Sequence, residues 1–215
     1  MPETDVQIPG LYASTPEPLP FAPQLEIRSF LLLRDRGNIL IYSTSGLEGD
    51  AAAIADQGGI SRHYLNHWHE AMFASDWVDA PLFVHEAERS HVEENYEVRG
   101  TFSRRHLLDE DFEVIPTPGH TEGATAYLWE TGEHRLLFTG DTVYLREGEW
   151  VAAVLDSSDR DRYIESLELL RGLDFDVLVP WAASAGQPCY MMLDEGEGAE
   201  RMDAITERLR RGENH

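Results

Sequence analysis

The stretch that most constrains this chain runs from Val114 to Val143. Two apolar runs, Thr125–Trp129 and Arg135–Thr139, flank the polar segment Glu130–His134, with Gly132 at its centre. That pattern predicts a β-hairpin. The open ends of an antiparallel hairpin lie side by side. His120, just ahead of the first strand, and Asp141, just after the second, are therefore predicted to meet at one edge of a sheet. Gly119 and Gly140 precede them directly, where a missing side chain lets backbone come close to a neighbour. An imidazole and a carboxylate on glycine-hinged loops point to a metal site.

A second pair joins them from earlier in the chain. Ile60–Leu65 reads as a strand running into His67-Trp68-His69. On extended backbone, residues i and i+2 face the same way, about 7 Å apart, so both imidazoles can grip one ion while Trp68 points away. His67, His69, His120 and Asp141 form a set that suits one divalent ion, zinc first and iron second. The other histidines (63, 85, 91, 106, 134 and 215) read as ordinary core or surface side chains. The single cysteine, Cys189, cannot form an internal disulfide and reads as a small apolar filler.

Around this core the chain alternates short strands and helices, the pattern of an α/β layered domain. Residues 1–24 are proline-rich and read as an extended lead-in; residues 25–215 read as one domain. Glu26–Arg34 and Asn38–Ser43 form a hairpin through Asp35-Arg36-Gly37. Leu47–Asp56 holds a short helix stopped by Gly58-Gly59. Ala71–Val78 reads as helix, Pro81–His85 as a buried strand and Glu86–Glu94 as helix. Tyr96–Asp111 is polar, with no clear element except around His106–Leu108. Phe112–Ile115 is a strand, Val143–Leu155 has strand character, and Asp159 caps a helix over residues 160–171. Phe175–Val179 is a buried strand and Gly198–Arg211 an amphipathic helix.

Composition narrows the partners. Seventeen basic residues, all arginine, stand against forty acidic ones, for a net charge of −23. Such a surface suits a salt-rich cytosol, or an arginine-favouring genome that simply encodes an acidic protein. Either way it repels phosphate backbones and disfavours a nucleic-acid partner. No signal-peptide pattern and no span-length apolar run are present, which predicts a soluble cytoplasmic protein without a membrane partner.

Four segments carry a family resemblance: Leu65–Met72 (LNHWHEAM), Thr117–Ala124 (TPGHTEGA), Leu137–Thr142 (LFTGDT) and Val179–Ala183 (VPWAA). In order and separation they resemble the motifs of the metallo-β-lactamase superfamily over roughly residues 26–210. The resemblance implies a four-layer αβ/βα sandwich, two mixed β-sheets with helices outside and metal at one edge. It also exposes departures. The family's HxHxDH motif ends here in Ala71 and Met72, and a histidine usual after the last core strand is replaced within Pro180-Trp181-Ala182-Ala183. His67, His69 and His120 match first-metal ligands and Asp141 the bridging carboxylate. The lost positions, Ala71, Met72 and Ala182, all belong to the second metal, which implies a site rebuilt for one ion. Met72 and Trp181 are then expected to face the vacated half.

By that resemblance the expected activity is metal-dependent hydrolysis of an ester, thioester, lactone or similar small substrate. Asp141 would complete the coordination or act as general base toward the attacking water. Two alternatives stand beside it: a non-catalytic relative that binds a ligand, and an enzyme resembling mononuclear iron thiol dioxygenases. Glu70 is a potential replacement ligand. The segments Tyr96–Asp111 and Leu145–Asp156 are expected to form the pocket mouth.

Overall fold

The computed structural model describes residues 7–73 and 77–214. In chain order, the first half carries β1 (Leu11–Ala13), β2 (Glu17–Leu19), β3 (Ala22–Ile27), β4 (Phe30–Leu32), β5 (Ile39–Ile41), α1 (Ala51–Asp56), β6 (Arg62–Tyr64), β7 (Leu82–His85), α2 (Arg89–Val92) and β8 (Val98–Phe102). The second half carries β9 (His106–Leu107), β10 (Phe112–Pro116), β11 (Thr125–Glu130), β12 (Arg135–Gly140), β13 (Tyr144–Arg146), β14 (Glu149–Val151), α3 (Arg160–Arg171), β15 (Val177–Pro180), β16 (Ala182–Ser184), β17 (Met191–Met192) and α4 (Glu197–Arg210).

Two six-stranded mixed sheets form the body, ordered β1-β4-β5-β6-β7-β8 and β17-β15-β12-β11-β10-β9. A five-stranded ladder, β14-β13-β16-β3-β2, joins them at one end. The chain passes from β3 to β4 and from β15 to β16 within a few residues, and the Arg28 N–H donates to the Trp181 carbonyl at 3.2 Å across that junction.

The layering follows from a period of two in strands apolar on both faces. Phe112, Val114, Tyr127, Trp129, Leu136, Phe138, Val177 and Val179 face the first sheet's Phe30, Leu32, Ile39, Ile41 and Tyr64 in one core. The alternate residues Ile115, Ala126, Leu128, Leu137 and Leu178 pack against α3 and α4 through Tyr163, Leu167, Leu170, Met202, Ile205 and Leu209. On the far side, Leu31 and Leu40 meet Leu47 and Ile54 of the α1 region. The result is the αβ/βα sandwich that the motifs imply.

Several local expectations need correction. Val98–Phe102, in a segment read as having no element, is a strand paired parallel to β7. Its pattern is hidden by Arg99 and Thr101 on the open face and by Gly100, where a Cβ would meet the Phe83 ring at 2.9 Å. Residues 68–73 form a 3-10 turn rather than the start of an α-helix; residues 74–76 of the Ala71–Val78 segment lie outside the described residues, as does His215. Part of the extended lead-in is paired: β1 lies antiparallel to β4, and β2 antiparallel to β3.

Candidate metal centre

The hairpin β11–β12 forms as its sequence predicts, with Tyr127 opposite Phe138 and Glu130 opposite Arg135. Its open end holds His120 and Asp141. The two glycines beside them are required by what approaches. At Gly140, with φ of +55°, a Cβ would stand 2.0 Å from Asn66 Cγ; at Gly119, with φ of +145°, it would stand 2.4 Å from Tyr163 Cα. Tyr42, itself left-handed with φ of +67°, accepts from the Gly140 N–H at 2.9 Å and donates to the Val179 carbonyl at 2.7 Å. The Tyr163 hydroxyl is held among the Asp141 and Thr142 carbonyls and the Ala153 N–H.

His67 and His69 reach the same point by a different route from the one their spacing suggests. β6 ends at Tyr64, and the two imidazoles come from the loop and 3-10 turn that follow. The buried Glu88 carboxylate ties this loop to the next one. Its Oε2 accepts from Trp68 N–H at 2.8 Å and its Oε1 from Gly123 N–H at 2.7 Å. Sequence reasoning missed Glu88, which looks there like any acidic residue of a surface helix.

Four ligand atoms, one each from His67, His69, His120 and Asp141, lie within 4.8 Å of one another. His69 Nδ1 is 3.1 Å from His120 Nε2. Asp141 Oδ2 is 3.4 Å from His67 Nε2 and 3.6 Å from His120 Nε2. Zinc-type bonds of about 2.0–2.1 Å in a tetrahedron put neighbouring ligands about 3.3 Å apart, so these separations match. Outer partners aim the rings. His120 Nδ1 donates to the Ala153 carbonyl at 2.6 Å, which leaves Nε2 as a lone pair toward the cluster. His67 Nδ1 lies 3.1 Å from both Glu70 Oε1 and Asn66 Oδ1. His67 Nε2 is buried and makes no full hydrogen bond among the described residues, with Asp141 Oδ2 standing 3.4 Å away. Three imidazole nitrogens and a carboxylate oxygen gathered at these separations are the donor set of a divalent ion, so the residues present fit a cation.

Electrostatics agree. Burial lowers His69 to about 3 and His120 to about 4, reinforced in each by neighbouring imidazoles. Burial also pulls His67 down, but the Asp141 and Glu70 carboxylates outweigh it and raise it to about 10. Asp141 is raised by burial and brought below the usual carboxylate range by the imidazoles, His67 foremost. Two neutral imidazoles beside an ionised carboxylate suit a divalent ion, and His67 would give up its proton to join them. Glu70, read as a potential ligand, is instead fully buried behind His67, with Oε1 accepting from Asn66 N–H at 3.0 Å. Burial raises it to about 7.

The positions that the resemblance assigns to a second metal, Ala71, Met72 and Ala182, are apolar. Ala71 is buried among Leu65, Leu82, Val84, Val92 and Val98. Met72 and Ala182 line a cleft beside the cluster, as does Trp181, whose ring meets His67 edge-on at 5.6 Å. That cleft, of about 390 Å³, also takes in His69, His120, Asp141 and residues 152–155. No residue of Tyr96–Asp111 lines it, whereas Arg146 and residues 152–155 of the segment Leu145–Asp156 do, together with Leu19, Phe21 and Leu25 of the β2–β3 hairpin. Cys189 is buried in the main core. The remaining described histidines hold local structure, such as His134 Nδ1 against Asp176 Oδ2 at 2.7 Å and His63 Nε2 donating to the Tyr42 carbonyl at 2.8 Å. No helix among the described residues is long and apolar enough to cross a membrane.

In structure the chain is similar to a metallo-beta-lactamase from Pontibacter korlensis, at TM-score 0.73 and 15% identity over 97% of this chain and 98% of that one. It is also similar to a metallo-beta-lactamase family protein from Thermus thermophilus, at TM-score 0.67 and 17% identity over 96% and 81%. In sequence it is 33% identical over 115 residues, 50% of this chain, to a hydroxyacylglutathione hydrolase of Xanthomonas axonopodis pv. citri (strain 306); it spans 43% of that relative's length. The family profile described as Metallo-beta-lactamase superfamily matches residues 49–182. With the match covering more than half of its length and the fold agreeing throughout, this chain belongs to the metallo-beta-lactamase superfamily.

Proposed function

We propose that this protein is a hydrolase that uses one divalent ion, zinc first and iron second, held by His67, His69, His120 and Asp141, to cleave a small ester, thioester or lactone. The observation that carries this reading is the convergence of four donor atoms within 4.8 Å of one another. A divalent ion in such a set supplies Lewis acidity, toward a water and toward a carbonyl oxygen.

This chain's residues supply the rest. Glu70 and Asn66 fix the His67 ring, and the Ala153 carbonyl fixes His120, so these two rings are held in place. Asp141 is in the cluster and also lines the cleft, where it can accept a proton or hydrogen bond from the attacking water. Apolar Met72, Ala182 and Trp181 occupy the second-ion half, which supports a single ion. The partial match to a hydroxyacylglutathione hydrolase makes thioesters the first substrates to try.

The test is a panel of thioesters, esters and lactones assayed with the metal-loaded protein and with His120→Ala. We expect turnover of at least one class, reduced more than a hundredfold in His120→Ala. Metal-loaded protein that cleaves none of the panel yet binds a ligand in the cleft would favour a non-catalytic role.

A further inference from the structure

The cleft beside the cluster has an unusual division of character. Around the vacated half its wall is hydrocarbon and aromatic: Met72, 54% exposed, and Trp181 from the body, with Leu19, Phe21 and Leu25 from the β2–β3 hairpin. Phe21, at the hairpin's tip, is 74% exposed, the most exposed large hydrophobic residue described. A phenyl ring left in water at a cleft mouth gains by covering when an apolar group enters. Among the residues lining the cleft, Arg146 is the one cation, set beside the Tyr144 phenol. Its guanidinium is exposed and makes no ion pair with a described carboxylate, in a protein with forty acidic residues to choose from. The one carboxylate on the wall, Asp141, faces the imidazoles.

Resting on the hydrolase reading above, we infer that the substrate is an anionic amphiphile: an acyl compound whose hydrocarbon chain runs over Met72, Trp181, Leu25 and Phe21 while a negatively charged group elsewhere in the molecule pairs with Arg146. A site holding a second ion would have met a polar or charged group over the vacated half. Apart from the Trp181 indole N–H the groups present there offer only hydrocarbon and ring faces, so what lies on them is mainly hydrocarbon. The cleft, at about 390 Å³, has room for a chain of medium length. For a thioester the acyl carbon gains the water's oxygen as the C–S bond breaks, water's two protons pass to solvent and to the departing thiolate, and the products are a carboxylate and a thiol.

Two independent measurements test this. The first uses binding alone: calorimetry of the metal-loaded protein with octane-1-sulfonate, ethane-1-sulfonate and 1-octanol. We expect octanesulfonate to bind one site at least tenfold more tightly than either of the others. Phe21→Ser should weaken it at least threefold, and Arg146→Gln should bring it down to the level of octanol. Both side chains are exposed, so neither variant endangers folding. The second compares acyl thioesters of 3-mercaptopropionate and of N-acetylcysteamine from two to ten carbons. kcat/KM should rise about two- to fourfold per methylene until the cleft is full, and the anionic series should lead through Arg146. Equal binding of the two sulfonates, or binding untouched by both substitutions, overturns the inference even if thioesters are cleaved. Octanesulfonate bound as expected, with no thioester, ester or lactone cleaved, leaves the cleft's preference for an anionic amphiphile standing as a binding property and overturns the hydrolase reading.

Discussion

Glu88 is a carboxylate with no contact to any of the four donor atoms, yet it has a large share in placing them. It spans from Trp68, between two of the imidazoles, to Gly123, three residues past a third, with two short charge-assisted hydrogen bonds. Glu88→Gln keeps one acceptor and turns an amide N–H toward a backbone N–H. We predict a loss of about 2 kcal/mol in folding stability and a tenfold to hundredfold loss in metal affinity, read by denaturation and by chelator competition. Unchanged affinity would reduce Glu88 to a plain core residue. Sequence alone could not find it, because its two partners are main-chain groups 20 and 35 residues away. Gly119 and Gly140 were legible for the opposite reason: glycine beside a candidate ligand states the need for close approach, though not that Tyr163 and Asn66 are what approaches. His63 gives a pH signature of its own. Burial lowers it from 6.5 to about 4, so it stays neutral in the fold while the unfolded chain takes up a proton below pH 6.5. Its contribution is therefore complete above pH 6.5 and lost as pH falls toward 4, by up to ~3 kcal/mol. Between pH 7 and 4.5, His63→Gln should lose less of its urea stability than the parent; parallel curves would refute this.

At the scale of elements, α3 is the support for His120. The Asp159 N–H donates to the Gly119 carbonyl at 2.9 Å, Ser158 Oγ to the His120 carbonyl at 3.0 Å and Ser166 Oγ to the Pro118 carbonyl at 2.7 Å. Asp159 also caps the helix, its carboxylate accepting from Arg162 N–H at 3.1 Å. Asp159→Ala should cost about 1 kcal/mol, measured as a shift in denaturant midpoint at unchanged slope; no shift would mean the cap is supplied otherwise. This helix was readable from its cap and apolar stripe, and the strands β10, β11, β12 and β15 from apolar residues that are largely buried on both faces. β8, β16 and β17 were not: they run two to five residues, carry glycine, alanine or methionine, and owe their pairing to the neighbouring strand. The 3-10 turn at Trp68–Phe73 likewise takes the first three residues of the segment Ala71–Val78 read as helix, with Glu70 turned inward to His67 rather than outward to water.

For the molecule as a whole, the net charge of −23 sets the response to salt. Most ion pairs are exposed, such as Arg36 with Glu110 and Arg171 with Asp203, and pairs of that kind contribute little. Mutual repulsion of the excess carboxylates is the larger effect, and salt screens it over a Debye length that shrinks from about 10 Å at 0.1 M to about 3 Å at 1 M. Raising sodium chloride across that range should stabilise the fold by about 1–2 kcal/mol, seen as a rise in Tm of roughly 2–8 °C; a fall would show that the ion pairs dominate.

The claim on which the account turns is that one cation sits among His67, His69, His120 and Asp141. Elemental analysis of protein reconstituted with zinc or iron and freed of excess ion measures it directly. The account predicts close to one equivalent in the parent chain and almost none in His120→Ala. No retained metal in the parent, or two equivalents held with similar affinity, would contradict it.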